Sequence, residues 1–420
     1  MLLSVKLNNC FIYNKEVSFT MRADMRYKRL SSNVIKLNNV NVLKSAVILG
    51  PNNTGKTNFI RCIAAIRDIL LNKGVHIQKC FYDDNNICSF EIEFLDSDTQ
   101  YLYRIKYDDQ KKQFVFEELL KFEFDKNKNK KEIRLWLRDI EKQVFDSNDD
   151  DFNTAMKSAS TNNIVIHLLD NSKFDILSIG GTAITTFANK IDIVDMNNLP
   201  IQKTIQFLKS SDRYRERIAS FVKNADLYMD DFRYLSDNEL SLTFTSDELN
   251  GSPQENVLTV PNQLIEMFHL ASYYKGKIVP SIIYDSTGTK KMAALASYII
   301  DALENGKTLI IDEIDNSLHF KLTRAIISIF NNELNQKAQL ICTAHDVSLL
   351  DNKKLLRKEQ IWFTHKDASQ VYLYSLSEYT AEKDGIRDTT DLLEKYKKGV
   401  FGAIPEPDLF STLMEVSNNE

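Results

Sequence analysis

Four short stretches carry residue types that could do chemistry together. GPNNTGKTN, Gly50 to Asn58, bounds a turn with two glycines and ends it in Lys-Thr-Asn. Such a turn aims backbone N–H groups inward around phosphate oxygens, puts Lys56 within reach of β- and γ-phosphates, and offers the Thr57 hydroxyl to Mg²⁺. Gly50, Pro51, Asn52, Asn53, Thr54, Gly55, Lys56, Thr57 and Asn58 are therefore expected to form a nucleotide site, and the helix start that follows adds a favourable dipole. LIIDEID closes an apolar run with Asp312 and Glu313. Asp312 is expected to hold Mg²⁺, and Glu313 to polarise an attacking water as general base. TAHD sets His345 at the end of another apolar run, where an imidazole can bond a γ-phosphate and sense its loss. DSTGTKK, Asp285 to Lys291, opens a helical pattern with Ser-x-Gly, a second anion-binding arrangement.

These residues need elements to hold them. SAVILG is a short apolar run suited to a buried parallel strand, and TNFIRCIAAIRDILL repeats apolar residues at helical spacing. Strand, glycine turn and helix is the context a phosphate-binding loop requires. In the last third, KTLIIDEID, QLICTAHD, QIWFTHKD and QVYLYSL read as strands. SLHFKLTRAIISIFNNEL reads as an amphipathic helix with Leu318, Leu322, Ile326, Phe330 and Leu334 on one face. This alternation calls for an α/β sheet of mainly parallel strands. Nearer the start, LLSVKLNNCFIY, EVSFTMRA, FEIEFL, YLYRIKYD, QFVFEELLKFEFD and EIRLWLRD alternate apolar and polar residues as in an antiparallel meander. Between them lies a mainly helical stretch, clearest in SSDRYRERIASFVKNADLYMDDF. The expected organisation is an N-terminal lobe over 1–145, a helical insertion over 146–278 and a C-terminal lobe over 279–420. Gln78, ahead of FEIEFL, is the expected further Mg²⁺ ligand, and Tyr13 or another early aromatic the expected adenine platform.

Composition narrows the class. Lys and Arg number 53 against 58 Asp and Glu, a net charge of −5, so the chain has no global basic footprint for nucleic acid. The five cysteines form no CxxC pair, which argues against zinc and against a disulfide framework. No apolar run is long enough to span a membrane, and the first residues do not read as a secretory signal, so the expected compartment is the cytoplasm. No heptad pattern sustains a long coiled-coil arm.

With the motifs in this order the chain resembles the ATP-binding-cassette-type ATPases, related to SMC and RecF heads, of the RloA/AbiL kind within the broad AAA15/AAA21 group. The resemblance rests on GPNNTGKTN, DSTGTKK, TLIIDEIDNSLH and ICTAHD, and more selectively on the tail: FTHKD, YSLSEY and KYKKGVFGAIP, Lys395 to Pro405. One departure is Thr287, where Asp is usual. The resemblance implies an α/β head: a mixed β-sheet core flanked by helices plus an antiparallel β-meander, with an inserted mainly helical subdomain. It also implies that ATP and Mg²⁺ are bound between two copies of the chain, with Ser286 and Gly288, supported by Thr289 and Lys290, binding in trans. Asp315 then falls in a loop expected at that interface, and His319 is a weaker candidate there. It further implies an accessory ATPase of anti-phage defence, a homodimer or larger assembly that answers a phage-derived trigger and controls a separately encoded effector such as a TOPRIM-type nuclease. A fused one is not expected after His345, where two strands, the helix-like DLLEKYKK and a tail follow. A DNA-clamping repair ATPase of the RecF/SMC type is the alternative, with nucleic acid as its partner.

Overall fold

The computed structural model of the chain describes all residues except 126–128, 226–227, 244–261, 352–353, 388–389, 405–409, 411–413 and 415–420, so Pro405 of the tail motif lies outside the described residues. Two large sheets organise it. The first is antiparallel and seven-stranded, in the order Val144–Asp146, Lys130–Asp139, Gln113–Phe124, Thr99–Asp108, Ile87–Asp96, Leu2–Asn8, Val17–Thr20. Its alternation is strict where it can be. Phe90, Ile92 and Phe94 face the core, while Glu91 and Glu93 face out. The outer face carries a ladder of opposite charges: Lys6 on Glu91, Arg104 on Glu91 and Glu118, Arg134 on Glu118 and Asp146. Cross-strand pairs of this kind favour one register over its neighbours.

The second sheet has six strands in the order Ile191–Asp195, Thr308–Asp312, Gln339–Ala344, Ser45–Leu49, Ile361–Lys366, Val371–Ser375. The first five run parallel and only Val371–Ser375 is reversed. Ser45–Leu49 is buried at every position. Ala46 and Ile48 enter one core, with the antiparallel sheet and the helices Lys56–Leu70 and Asp175–Asn189. Val47 and Leu49 enter the other, with Thr287–Asn305 and Phe320–Asn331. A strand covered on both faces must read as an unbroken apolar run.

The segment 146–278 contains the helices Asp150–Ser158, Asp175–Asn189, Gln202–Ser210 and Asp212–Asn224, but it is not helical throughout. Ile191–Asp195 forms the edge of the central sheet beside Thr308–Asp312. Asp231–Tyr234 and Leu270–Tyr274 form a small sheet with Lys277–Pro280. A lysine–aspartate cluster binds this segment to the core: Lys203 pairs with Asp301, and Lys307 with Asp192 at 3.3 Å.

The helix expected through Leu334 ends at Asn331, and Leu334 is 93 % exposed. The cause is local. The Asn335 side chain donates to the Phe330 and Ala338 carbonyls and closes a turn that competes with helix continuation.

Helix Asp175–Asn189 crosses the antiparallel sheet at Gly180, where a Cβ would stand 2.4 Å from Trp136 Cζ3 and 2.7 Å from Leu119 Cδ2. In an exposed helix Gly→Ala gains stability, but here Trp136 is fully buried and cannot yield. Gly180→Ala is expected to destabilise the fold by about 1–3 kcal/mol, read as a lower urea midpoint at unchanged slope. A raised midpoint would contradict the packing.

Candidate functional site

The parallel register brings the sequence motifs to one edge. Leu49, Asp312 and Ala344 end adjacent strands, and the glycine loop, Glu313 and His345 follow them directly. Ligands of open α/β sheets bind outside such carboxyl ends.

The loop is shaped by close backbone approach. Gly50 has φ 154°, and a Cβ there would lie 2.4 Å from Thr364 Oγ1. Gly55 has φ 109°, and its Cβ would meet the Tyr13 hydroxyl at 2.9 Å. Thr54 Oγ1 bonds the Pro51 carbonyl and Thr364 Oγ1, both at 2.7 Å. Lys56 opens its helix, is 6 % exposed, and donates to the Gly50 and Pro51 carbonyls at 2.6 and 2.9 Å. Burial pushes its ammonium down to about 8, against the opposing pull of Glu313, Asp312 and Asp315. Asn52 and Asn53 are exposed, with Asn53 at φ 60°, and Thr57 and Asn58 are half-buried on the first turn.

Asp312 and Glu313 are set by one hydroxyl. Thr343 Oγ1 donates to Asp312 Oδ1 at 2.5 Å and accepts the Glu313 N–H at 2.7 Å. Glu313 sits at φ 54°, a left-handed position that a non-glycine residue holds only when its surroundings impose it. Its carboxylate lies 3.8 Å from His345 Nε2 and accepts from Asn316 Nδ2 at 3.3 Å. Asp315 turns back on its own chain, where Oδ2 accepts the N–H groups of His345 and Asp346 at 2.8 and 2.6 Å.

Ser286 caps helix Thr287–Asn305 by accepting the Thr289 N–H at 3.1 Å, and the two hydroxyls lie 2.9 Å apart. Ser286 and Thr287 are exposed. Gly288 is packed on the loop after Glu313, where a Cβ would stand 2.5 Å from the Ser317 carbonyl oxygen. Lys290 donates to the Ile282 carbonyl at 3.0 Å. Its neighbour Lys291, which the sequence did not single out, is buried and donates to Asn316 Oδ1 at 3.0 Å.

One expectation changes. Tyr13 is fully buried and donates to the Gly55 carbonyl at 2.9 Å, so it buttresses the loop and offers no ring face to adenine. His319 is the N-cap of Phe320–Asn331, its Nδ1 accepting the Lys321 N–H at 3.3 Å. Gln78 lies on an exposed loop with its carbonyl taken by the Phe11 N–H, and among the described residues no hydrogen bond joins it to Thr57 or Asp312. Thr343, which holds both acids, was within ICTAHD; a hydroxyl in an otherwise apolar buried strand was the available signal.

A family model described as "AAA domain, putative AbiEii toxin, Type IV TA system" matches residues 45–351. The chain belongs to this family. The match begins at the strand before the glycine loop and ends just past His345, so it contains all four motifs and excludes the tail. Membership makes this a nucleotide-binding ATPase-type domain, and its fold is the α/β head with a mixed β-sheet core, flanking helices and an inserted mainly helical subdomain. Among solved structures, "Crystal structure of the SmcHead bound to the C-winged helix domain of ScpA" aligns at TM-score 0.42 and 13 % identity, over 89 % of this chain and 97 % of that one. "SMC head domain from Thermotoga maritima" aligns at 0.40 and 12 %, over 89 % and 98 %. No curated protein matches the chain.

The donor set suits Mg²⁺. Thr57 and Asp312 offer a hydroxyl and one carboxylate, the hard oxygen ligands Mg²⁺ takes when phosphates and water complete its octahedron. Among the described residues no cluster of three or more His, Cys, Asp or Glu offers an all-protein metal cage.

Thr343→Val keeps shape and removes both bonds. Turnover of ATP is expected to fall about tenfold or more while nucleotide affinity changes little, because the Thr343 hydroxyl bonds Asp312 and Glu313 and, among the described residues, no hydrogen bond joins it to the loop. Single-turnover hydrolysis beside calorimetric binding separates the two; parallel losses would mean that Thr343 supports the loop instead.

Proposed function

We propose that the chain is an ATP-hydrolysing regulatory subunit of a bacterial anti-phage defence system, which closes head to tail around two ATP molecules and controls a separately encoded toxic effector such as a TOPRIM-type nuclease. The observation that carries the ATPase part is the meeting of Lys56, Asp312, Glu313 and His345 at one sheet edge. The toxin–antitoxin wording of the family description supports the defence part.

In this reading the loop N–H groups and Lys56 hold the β- and γ-phosphates, and Thr57 and Asp312 hold Mg²⁺. Bound Mg²⁺ neutralises charge on the phosphate oxygens. Glu313 takes a proton from the attacking water, and His345 bonds the γ-phosphate. Ser286 and Gly288, on an exposed helix start, meet the partner copy's nucleotide. We assign residues 1–145 and 279–420 to the two lobes of the head, and 146–278 to the surface for effector or trigger. No helix among the described residues is long and apolar enough to cross a membrane, which accords with a cytoplasmic assembly.

Two outcomes are expected of the site. Lys56→Ala abolishes ATP binding, and Glu313→Gln traps a nucleotide-bound dimer seen by light scattering; normal turnover in Glu313→Gln would remove Glu313 as base. The trapped protein, recovered from its host after nuclease treatment, should carry a near-stoichiometric toxic partner. A dimer without that partner that protects DNA fragments would favour a repair clamp.

A pH dependence follows from Lys56. Bound phosphates favour the ammonium, which burial holds near 8 in the free protein. Binding above that pH therefore takes up a proton, and affinity falls as pH rises, by up to about tenfold per unit, while below it this group contributes no slope. Calorimetry in buffers of different ionisation enthalpy reads the uptake directly. Flat affinity from neutral pH through the lysine's shifted range would refute the contact.

A further inference from the structure

Asp285 stands immediately before the cap residue Ser286 and is 7 % exposed. Its carboxylate accepts three hydroxyls: Ser272 Oγ at 2.5 Å and Ser281 Oγ at 2.6 Å on Oδ2, and Tyr274 OH at 2.6 Å on Oδ1. Ser272 and Tyr274 are two apart on the strand Leu270–Tyr274, so both project from the same face. Ser281 begins the short helix Ser281–Tyr284, and its carbonyl accepts the Asp285 N–H at 3.0 Å. A buried carboxylate is costly unless charge-assisted hydrogen bonds replace its hydration, and here neutral hydroxyls from two elements do so. Because hydroxyls, not a lysine or arginine, make these bonds, their number and direction fix the carboxylate in place. The chain leaves that clamp directly into Ser286 and the exposed first turn.

We propose that Asp285 is a positioning residue: its three-hydroxyl clamp ties the anion-facing start of helix Thr287–Asn305 to the small sheet of Asp231–Tyr234, Leu270–Tyr274 and Lys277–Pro280, so that this sheet sets where Ser286 and Gly288 meet the partner copy's nucleotide. The inference rests on the sandwich of two copies proposed above. It assigns the small sheet, remote in sequence from the phosphate loop, a place in the assembly of the active site. It also separates two kinds of defect. Loss of the clamp spares ADP binding at the phosphate loop and impairs the contact made across the dimer.

The test uses the full chain with Glu313→Gln as background, ATP and Mg²⁺, and light scattering to count dimers. Calorimetry with ADP reads the Lys56 side alone. Asp285→Ala is expected to raise the ATP concentration for half-maximal dimer about tenfold or more, with ADP affinity held within about twofold. Tyr274→Phe keeps the carboxylate and the backbone and removes one donor, so it should shift dimerisation in the same direction by less. It protects the test against an Asp285→Ala protein that fails to fold. If Ser286→Ala loses the dimer while Asp285→Ala and Tyr274→Phe keep it, the positioning role is overturned and the sandwich stands. If Ser286→Ala dimerises normally, the sandwich falls and takes this inference with it. Equal losses of ADP affinity and dimerisation in Tyr274→Phe would reduce the clamp to a folding element and also overturn the proposal.

Discussion

Strands that run the same way and in step decide where this molecule can do chemistry. Ser45–Leu49 lies between Gln339–Ala344 and Ile361–Lys366, with Val47 beside both Cys342 and Ile361. Thr308–Asp312 flanks Gln339–Ala344 in the same direction. Their carboxyl ends therefore open on one edge, and the phosphate loop, the acid pair and His345 arrive there from distant parts of the sequence. Reversal of any one strand would send its functional end to the opposite edge. Register matters as much as direction. Each strand is buried on both faces, so a one-residue slip would exchange the side chains of the two cores, Val47 for Ile48 and Leu309 for Ile310. The site is held where it is by the packing of the cores behind it.

At the edge itself the backbone does much of the work, and small residues or hydroxyls mark where. Gly50 lies against Thr364, Gly55 against Tyr13, and Gly288 against Ser317, each too close for a Cβ without a shift. Thr54 and Thr364 join the loop to the neighbouring strand, and Thr343 joins the Asp312 strand to its own. These hydroxyls satisfy groups that would otherwise be buried without partners, at a cost comparable to a lost hydrogen bond. The lysine in the loop donates to two carbonyls, but its burial away from water outweighs them, which is why its proton is held less firmly than usual.

What could be read from the sequence followed how local the determining physics is. The glycine loop was legible because turn, charge and hydroxyl fall within nine consecutive residues between an apolar run and a helical period. The meander was legible from its period of two. Ile191–Asp195 was not placed in the central sheet, because five residues of mixed polarity carry no sign of their parallel neighbour. Leu334 kept the helical period yet fell outside the helix, since asparagine turns act through side-chain bonds that periodicity does not record. Tyr13, one candidate among the early aromatics for the adenine platform, is a buried buttress; nothing in its neighbours announces the Gly55 carbonyl that takes its hydroxyl. The choice between Lys290 and Lys291 turned on one step of helical rotation, which faces Lys291 inward to Asn316.

That last contact ties the motifs into one body. The loop after the acid pair is pinned at two points: Glu313 by Thr343, and Asp315 by the N–H groups of His345 and Asp346. In its middle, Asn316 takes Lys291 on its oxygen and gives its amide to Glu313 and to Asn197. One residue on, the Ser317 carbonyl closes against Gly288. The helix start bearing Ser286 and the carboxylate of Glu313 thus share a single short loop with no slack between them. A shift of that helix by an ångström would press on Ser317 or withdraw Lys291, and either would be felt at Asn316, whose amide lies on the carboxylate. Within one chain, then, the surface that faces outward and the acid that faces the phosphate loop cannot be displaced independently.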